Sequence, residues 1–181
     1  MLLFPIFWNW NLYLQNRKPV ENIKVKQKHI FHVVIATGFG AGFSPFAPGT
    51  AGAALATLIW YVMSTFFSTS FLLYTIILLI LSVTILGIMS ANVLEPVWGE
   101  DPSRIVVDEM VGVWIALLAV IPFNWYYMLF AFILFRLFDI FKPLGIRKME
   151  KIKGGLGVMM DDILAGIYSC LLILGIKWII G

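Results

Sequence analysis

An all-helical membrane protein is the fold class this sequence predicts, and three observations carry the prediction. Mean hydropathy is +0.93 with only 13% charged residues, far from the average for soluble domains. The apolar residues gather into five runs, about Gly52–Phe67, Phe71–Ala91, Ile105–Ile121, Phe123–Phe138 and Ile163–Ile180. These runs are rich in Leu, Ile and Phe and lack the strict alternation of half-buried strands, so they read as helices. At ~1.5 Å rise per residue, the run from Phe71 crosses a ~30 Å hydrocarbon core with ease. The shorter runs are marginal, so some helices are expected to be tilted, interfacial or partly embedded.

The chain of 181 residues divides into a leader, 1–31, and a single helical domain, 32–181. Met1–Leu14 is apolar and carries Trp8, Trp10 and Tyr13. No basic region precedes it, so it reads poorly as a secretory signal, and Pro5 with its short length argues against a span. An interfacial anchor and an unstructured leader both account for it. Arg17–His29 is polar and basic. Ser68, Thr69 and Ser70 form a tight polar turn between the first two runs, and Pro122 with Asn124 breaks the next pair. Between Pro143 and Gly154, Ile146, Met149 and Ile152 interleave with Arg147, Lys148, Lys151 and Lys153, the pattern of a short basic amphipathic helix on a membrane surface or of a plain solvated helix.

Counting crossings orients the chain. Two runs separate the Gly/Pro-rich segment Gly38–Gly52 from the acidic segment beginning at Glu95, and two more lead to the polar segment Asp139–Asp162. If each pair is a hairpin, all three segments return to one side. Twelve of the thirteen Lys and Arg fall on that side and only Lys177 opposite, so the positive-inside rule makes it cytoplasmic in a multi-pass protein of the inner membrane. Trp125, Tyr126 and Tyr127 mark the other interface. The net charge of +3 is modest, and the basic patches beside apolar runs suit an anionic membrane surface rather than nucleic acid.

Nine of the ten Asp and Glu lie between Glu95 and Asp162. Carboxylates are costly in apolar surroundings unless paired or bound to a cation, so their clustering beside membrane-length runs points to a divalent-metal site. Asp108 and Glu109 are adjacent, so on a helix they leave the axis about 100° apart and share one ion only where it sits between two helices. A helix start with acids against the macrodipole gives the same pattern. Arg136, Asp139 and Lys142 share one helical face, and Pro143 ends that helix at Lys142. They read either as a structural ion pair or as Asp139 on metal with Arg136 and Lys142 facing phosphate oxygens. Asp161 and Asp162 follow a glycine turn, Gly154-Gly155-Leu-Gly157, and precede the small residues Ala165 and Gly166, which leave room for a cation or a close helix. In the Gly/Pro segment, Gly38, Gly40, Ser44, Pro48, Gly49 and Thr50 could cradle a phosphate through backbone amides. A turn into a helix, with Ser44 or Thr50 as a cap, explains them equally. No Gly-Lys-Ser/Thr follows, so this is not a P-loop.

His29 and His32 precede every acidic cluster and read as interfacial, leaving no histidine nucleophile in the rest of the chain. The lone Cys170 excludes an intrachain disulfide and a multi-cysteine zinc site, and reads as a buried, inert thiol. All-oxygen donors favour Mg²⁺ or Mn²⁺ over zinc.

Ile105-Val-Val-Asp108-Glu109-Met-Val-Gly112, Phe135-Arg136-Leu-Phe-Asp139-Ile-Phe-Lys142-Pro143 and Gly154-Gly155-Leu-Gly157-Val-Met-Met-Asp161-Asp162, following the Gly/Pro segment in this order, resemble the phosphatidylglycerophosphatase A family over about His32–Cys170. The resemblance implies an all-helical, Mg²⁺-dependent lipid phosphatase that converts phosphatidylglycerophosphate to phosphatidylglycerol and phosphate in phospholipid synthesis. Asp108, Glu109, Asp139, Asp161 and Asp162 are then the expected catalytic and metal-binding residues. Gly38, Gly40, Ser44, Pro48, Gly49, Thr50, Arg136 and Lys142 are the expected contacts to an anionic phospholipid. Two rival readings are another membrane phosphotransfer enzyme of lipid synthesis and a divalent-cation transporter. The Asp-Gly-Ala-Arg-Gly-Asp pattern of CDP-alcohol phosphotransferases is absent, and a transporter does not account for the basic segment beside the carboxylates.

Overall fold

A computed structural model describes residues 27–99 and 102–180. The expected leader lies outside the described residues up to position 26, as do Glu100 and Asp101. Among the described residues there are seven α-helices and no strand: α1 Gln27–Ala36, α2 Pro48–Phe66, α3 Thr69–Trp98, α4 Val107–Leu117, α5 Trp125–Phe141, α6 Ile146–Met149 and α7 Gly155–Ile180. One-turn 3₁₀ helices at Ala41–Phe43 and Leu118–Val120 complete it.

All five apolar runs are helical, but they differ in standing. α2, α3 and α7 are long and apolar enough to cross a membrane. α4 is not: its 11 residues are buried on nearly every side, including Val107, Met110, Val111, Val113, Trp114 and Leu117. It is the core around which the other helices pack, with its largest interface against α7 and others against α2, α3 and α5. The Trp114 indole N–H donates to the Ala56 carbonyl of α2 at 2.9 Å in the interior. Trp60, Ile76, Leu117 and Phe135 fill the surrounding space. Outward, Tyr74, Leu78, Leu81 and Ile85 of α3 and Leu171, Trp178 and Ile179 of α7 are exposed. So large an apolar surface suits hydrocarbon rather than water.

Three boundaries depart from the sequence reading. The polar turn is shorter, because α3 begins at Thr69 directly after its N-cap Ser68. α3 also continues through Glu95 and Pro96 to Trp98, beyond the run ending at Ala91. Gly87, Ser90, Ala91 and Leu94 are buried at helical spacing, so packing carries the helix past the polar residues. The basic amphipathic segment shrinks to the single turn α6. Leu144 (φ 53), Gly145 (φ 91) and Gly154 (φ 74) hold left-handed backbone on both sides of it. Only Ile146 buries its side chain there.

At the start of α5, the Asn124 side chain accepts from the N–H groups of Tyr126 and Tyr127 at 3.0 and 3.2 Å, an N-cap. Its other end stops where expected, with Lys142 in left-handed conformation before Pro143. At the far end of the bundle, Lys177 donates to the Ala119 carbonyl at 2.8 Å and lies over the Tyr127 ring.

Candidate active site

The starts of α2, α4 and α7 and the end of α5 meet at one end of the bundle, as the hairpin arithmetic expects. What draws α4 and α7 together is an absence of side chains. A Cβ on Gly112 would lie 2.7 Å from the Asp162 carbonyl oxygen, and one on Gly166 would lie 3.0 Å from the Gly112 carbonyl carbon. The two backbones therefore touch, one turn beyond the acids of each helix.

That contact assembles the carboxylates. Asp108 and Glu109 of α4 and Asp162 of α7 each offer an oxygen, and these lie within 4.8 Å of one another. The adjacent acids converge because the cluster sits between two helices. Asp108 is 6% and Asp162 3% exposed. Asp108 Oδ1 accepts from the Glu109 N–H at 3.0 Å. Glu109 Oε2 and Asp162 Oδ1 are buried without a hydrogen-bond partner. Asp139 faces Asp162 on one side and is ion-paired to Arg136 on the other.

Asp161 departs from the expected arrangement. It lies outside the three-carboxylate cluster and accepts from Lys142 Nζ at 2.6 Å. Lys142 also donates to Glu150 at 2.8 Å. Burial opposes the Lys142 charge, but the hydrogen bonds to Asp161 and Glu150 outweigh it and raise the ammonium pKa above its ordinary value. Arg136 and Lys142, expected on phosphate, are thus both engaged by carboxylates. With Glu150, six carboxylates (Asp108, Glu109, Asp139, Glu150, Asp161, Asp162) stand against these two cations, a surplus of four negative charges when all are ionised.

Of the glycine-segment residues, Gly49 reaches the cluster. It is buried, and a Cβ there would run into the Glu109 carboxylate, 3.4 Å from an Arg136 nitrogen. Gly38 packs instead beneath α4, against Met110 and Val106. Nothing lies within 4 Å of the Cβ position at Gly40. The Ser44 hydroxyl donates to the Phe46 carbonyl at 2.8 Å on the exposed loop. Pro48 occupies the first turn of α2, and Thr50 is half-buried beside it. Two residues escaped the sequence reading. Glu150 is the lone acid among the bases of its segment, a signal that was present. Asn92 Oδ1 accepts from the Gly155 N–H at 2.6 Å, tying α3 to the start of α7. Its signal was a single amide near the end of an apolar run.

The donor set fits a hard divalent cation: the donors are oxygens, anionic and mostly buried, and two of those oxygens lack partners. The fold and the site define a helical bundle, apolar on its outside, with a carboxylate cluster at one end. The family model described as Phosphatidylglycerophosphatase A matches residues 34–177. Escherichia coli Phosphatidylglycerophosphatase A is 34% identical over 93% of this chain and 96% of its own length. The Haemophilus influenzae protein of the same name is 35% identical over 87% and 97%. A Bacteroides thetaiotaomicron protein named "Putative phosphatidylinositol-3-phosphatase" is 59% identical over 87% of this chain and 100% of its own length. No solved structure matches the chain. The chain belongs to the phosphatidylglycerophosphatase A family, and it is a phosphatase.

Proposed function

We propose that the protein hydrolyses the terminal phosphate monoester of phosphatidylglycerophosphate at the cytoplasmic leaflet of the inner membrane, with Mg²⁺ held by Asp108, Glu109 and Asp162 and with Asp139 beside them. The observation that carries this reading is the buried three-carboxylate cluster with unpartnered oxygens on Glu109 and Asp162. A divalent cation bound there supplies positive charge to the phosphoryl oxygens and acidifies water. Gly49 keeps the approach to Glu109 open, since any side chain would fill it. Arg136, held by Asp139 and close to Gly49, offers its guanidinium to the phosphate as charge develops. Lys142 acts differently from the sequence expectation. Its bonds to Asp161 and Glu150 make it the group that fixes the start of α7, and with it Asp162. The excess of Lys and Arg at this end of the bundle supports the cytoplasmic orientation.

A second reading, phosphatidylinositol 3-phosphate as substrate, is favoured by the name of the relative at 59% identity. Phosphate release by the purified protein from each lipid, with Mg²⁺ and with chelator, tests both. The expected result is Mg²⁺-dependent release that Asp162→Asn and Asp108→Asn abolish while thermal unfolding stays cooperative. Undiminished release in chelator refutes the metal role. Mg²⁺ uptake into liposomes without phosphate release would favour a transporter instead.

A further inference from the structure

A cleft of about 260 Å³ opens beside Asp161. Its walls come from three places: Glu95 at the end of α3, Pro102 and Ile105 before α4, and the segment Glu150–Gly155 with Val158 between α6 and α7. Glu95 faces Gly154, where a Cβ would lie 3.9 Å from its carboxylate oxygen. Lys151 and Lys153 stand on the same rim. Asp161 lines this cleft while its neighbour Asp162 belongs to the cluster, so the two sites flank a single turn of α7.

From this arrangement we infer that the cleft is the subsite for the polyol that links the two phosphates of the lipid headgroup. The inference rests on the phosphatase reading above and specifies its substrate class. Such a headgroup carries a phosphomonoester, a hydroxylated linker and a phosphodiester leading back to the diacylglycerol. The cluster and the cleft together offer matching chemistry. The monoester is taken at the carboxylate cluster, the linker hydroxyls donate to Glu95, and Lys151 and Lys153 meet the diester. The volume agrees: it lies just below the roughly 300–1,000 Å³ of sites that enclose a drug-sized ligand, so it admits a headgroup and leaves the acyl chains outside. Glycerol and inositol share this chemistry and differ in bulk, so the cleft also decides between them.

The test uses the full chain and the variants Glu95→Ala and Val158→Phe, each first checked for a cooperative thermal transition. Phosphate release is measured on phosphatidylglycerophosphate, phosphatidylinositol 3-phosphate and phosphatidic acid. The last bears the monoester but neither linker nor diester. Glu95→Ala is expected to lower kcat/KM on the two polyol lipids relative to phosphatidic acid by roughly tenfold, the scale of one charged hydrogen bond. Val158→Phe narrows the cleft and is expected to depress the inositol lipid more than the glycerol lipid. Unchanged ratios in both variants, or equal losses on all three lipids, overturn the assignment of the cleft. Wild-type protein inactive on every lipid overturns the phosphatase reading itself.

Discussion

Replacing Gly166 by alanine is the sharpest perturbation this architecture offers. The added methyl would run into the Gly112 carbonyl oxygen, with the carbonyl carbon 3.0 Å and the Cα 3.1 Å away, all backbone atoms that no rotamer change can move. Ordinary van der Waals contact begins at 3.4 Å, so α4 and α7 must separate or slide. Overpacking of this kind costs about 1–3 kcal/mol, and the better helix propensity of alanine returns about 1 kcal/mol of that. The net loss of stability is therefore modest, about 0–2 kcal/mol. The effect on activity is expected to be larger. The same contact sets the spacing of Asp108 and Glu109 against Asp162, and a misplacement of about 1 Å at a reacting centre costs on the order of 10²-fold. Thermal unfolding in detergent and phosphate release from lipid substrate, measured on the same preparation, separate the two effects. A Gly166→Ala protein with turnover within about twofold of wild type would refute the claim that this backbone contact gauges the site, since even a small misplacement should be felt there.

Three further outcomes follow from individual contacts. Lys142→Met removes a partner of Asp161 and of Glu150 and is expected to cost on the order of 1 kcal/mol near neutral pH, discounted because the Glu150 side chain is 41% exposed. Because the folded-state pKa of Lys142 is raised, its contribution is full below its unfolded value of about 10.4 and is lost as pH rises through the higher folded value. Unfolding midpoints of wild type and variant should differ most below that value and converge in strong alkali. Trp114→Phe removes the indole bond to the Ala56 carbonyl, which keeps its partner within α2, and is expected to destabilise by about 0.5–1.5 kcal/mol in thermal unfolding with little change in activity. Phe46 is 84% exposed on the loop that leads to Gly49, beside the likewise exposed Phe39 and Phe43. A Phe46→Trp variant is expected to be quenched by bromolipids in vesicles, while Phe46→Ser should raise KM on vesicles more than on a water-soluble short-chain substrate.

The helical class and the convergence of distant polar segments could be read from hydropathy and the run count. Asp108, Glu109 and Asp162 could be found because ionisable groups bordering apolar runs are rare and so stand out. Other features depend on partners that no local pattern encodes. α4 looked like another span, yet it is the buried centre, since an apolar run reads the same whether lipid or protein surrounds it. Lys142 and Asp161 were each visible as charges, but their mutual pairing became apparent only once α5 and α7 were brought side by side. The continuation of α3 past Pro96 reflects burial of Leu94, which overrides the local signal for a break. Gly40 and Ser44 belonged to a glycine-rich pattern whose turn-forming use proved sufficient to explain them.

The length of α3 has a consequence for where catalysis takes place. Thirty residues make a rod of about 45 Å, against a hydrocarbon slab of about 30 Å. A slab of that thickness takes about twenty residues, so one that encloses Phe71 to Ser90 leaves the last turns, with Asn92 and Glu95, standing among the headgroups. Those turns hold the start of α7 through Asn92, so the surplus rod acts as a post that sets the height of the carboxylate cluster along the bundle. On the proposed reading, a phosphate on a short polar stalk meets the cluster at that height, and the lipid need not be lifted from its leaflet.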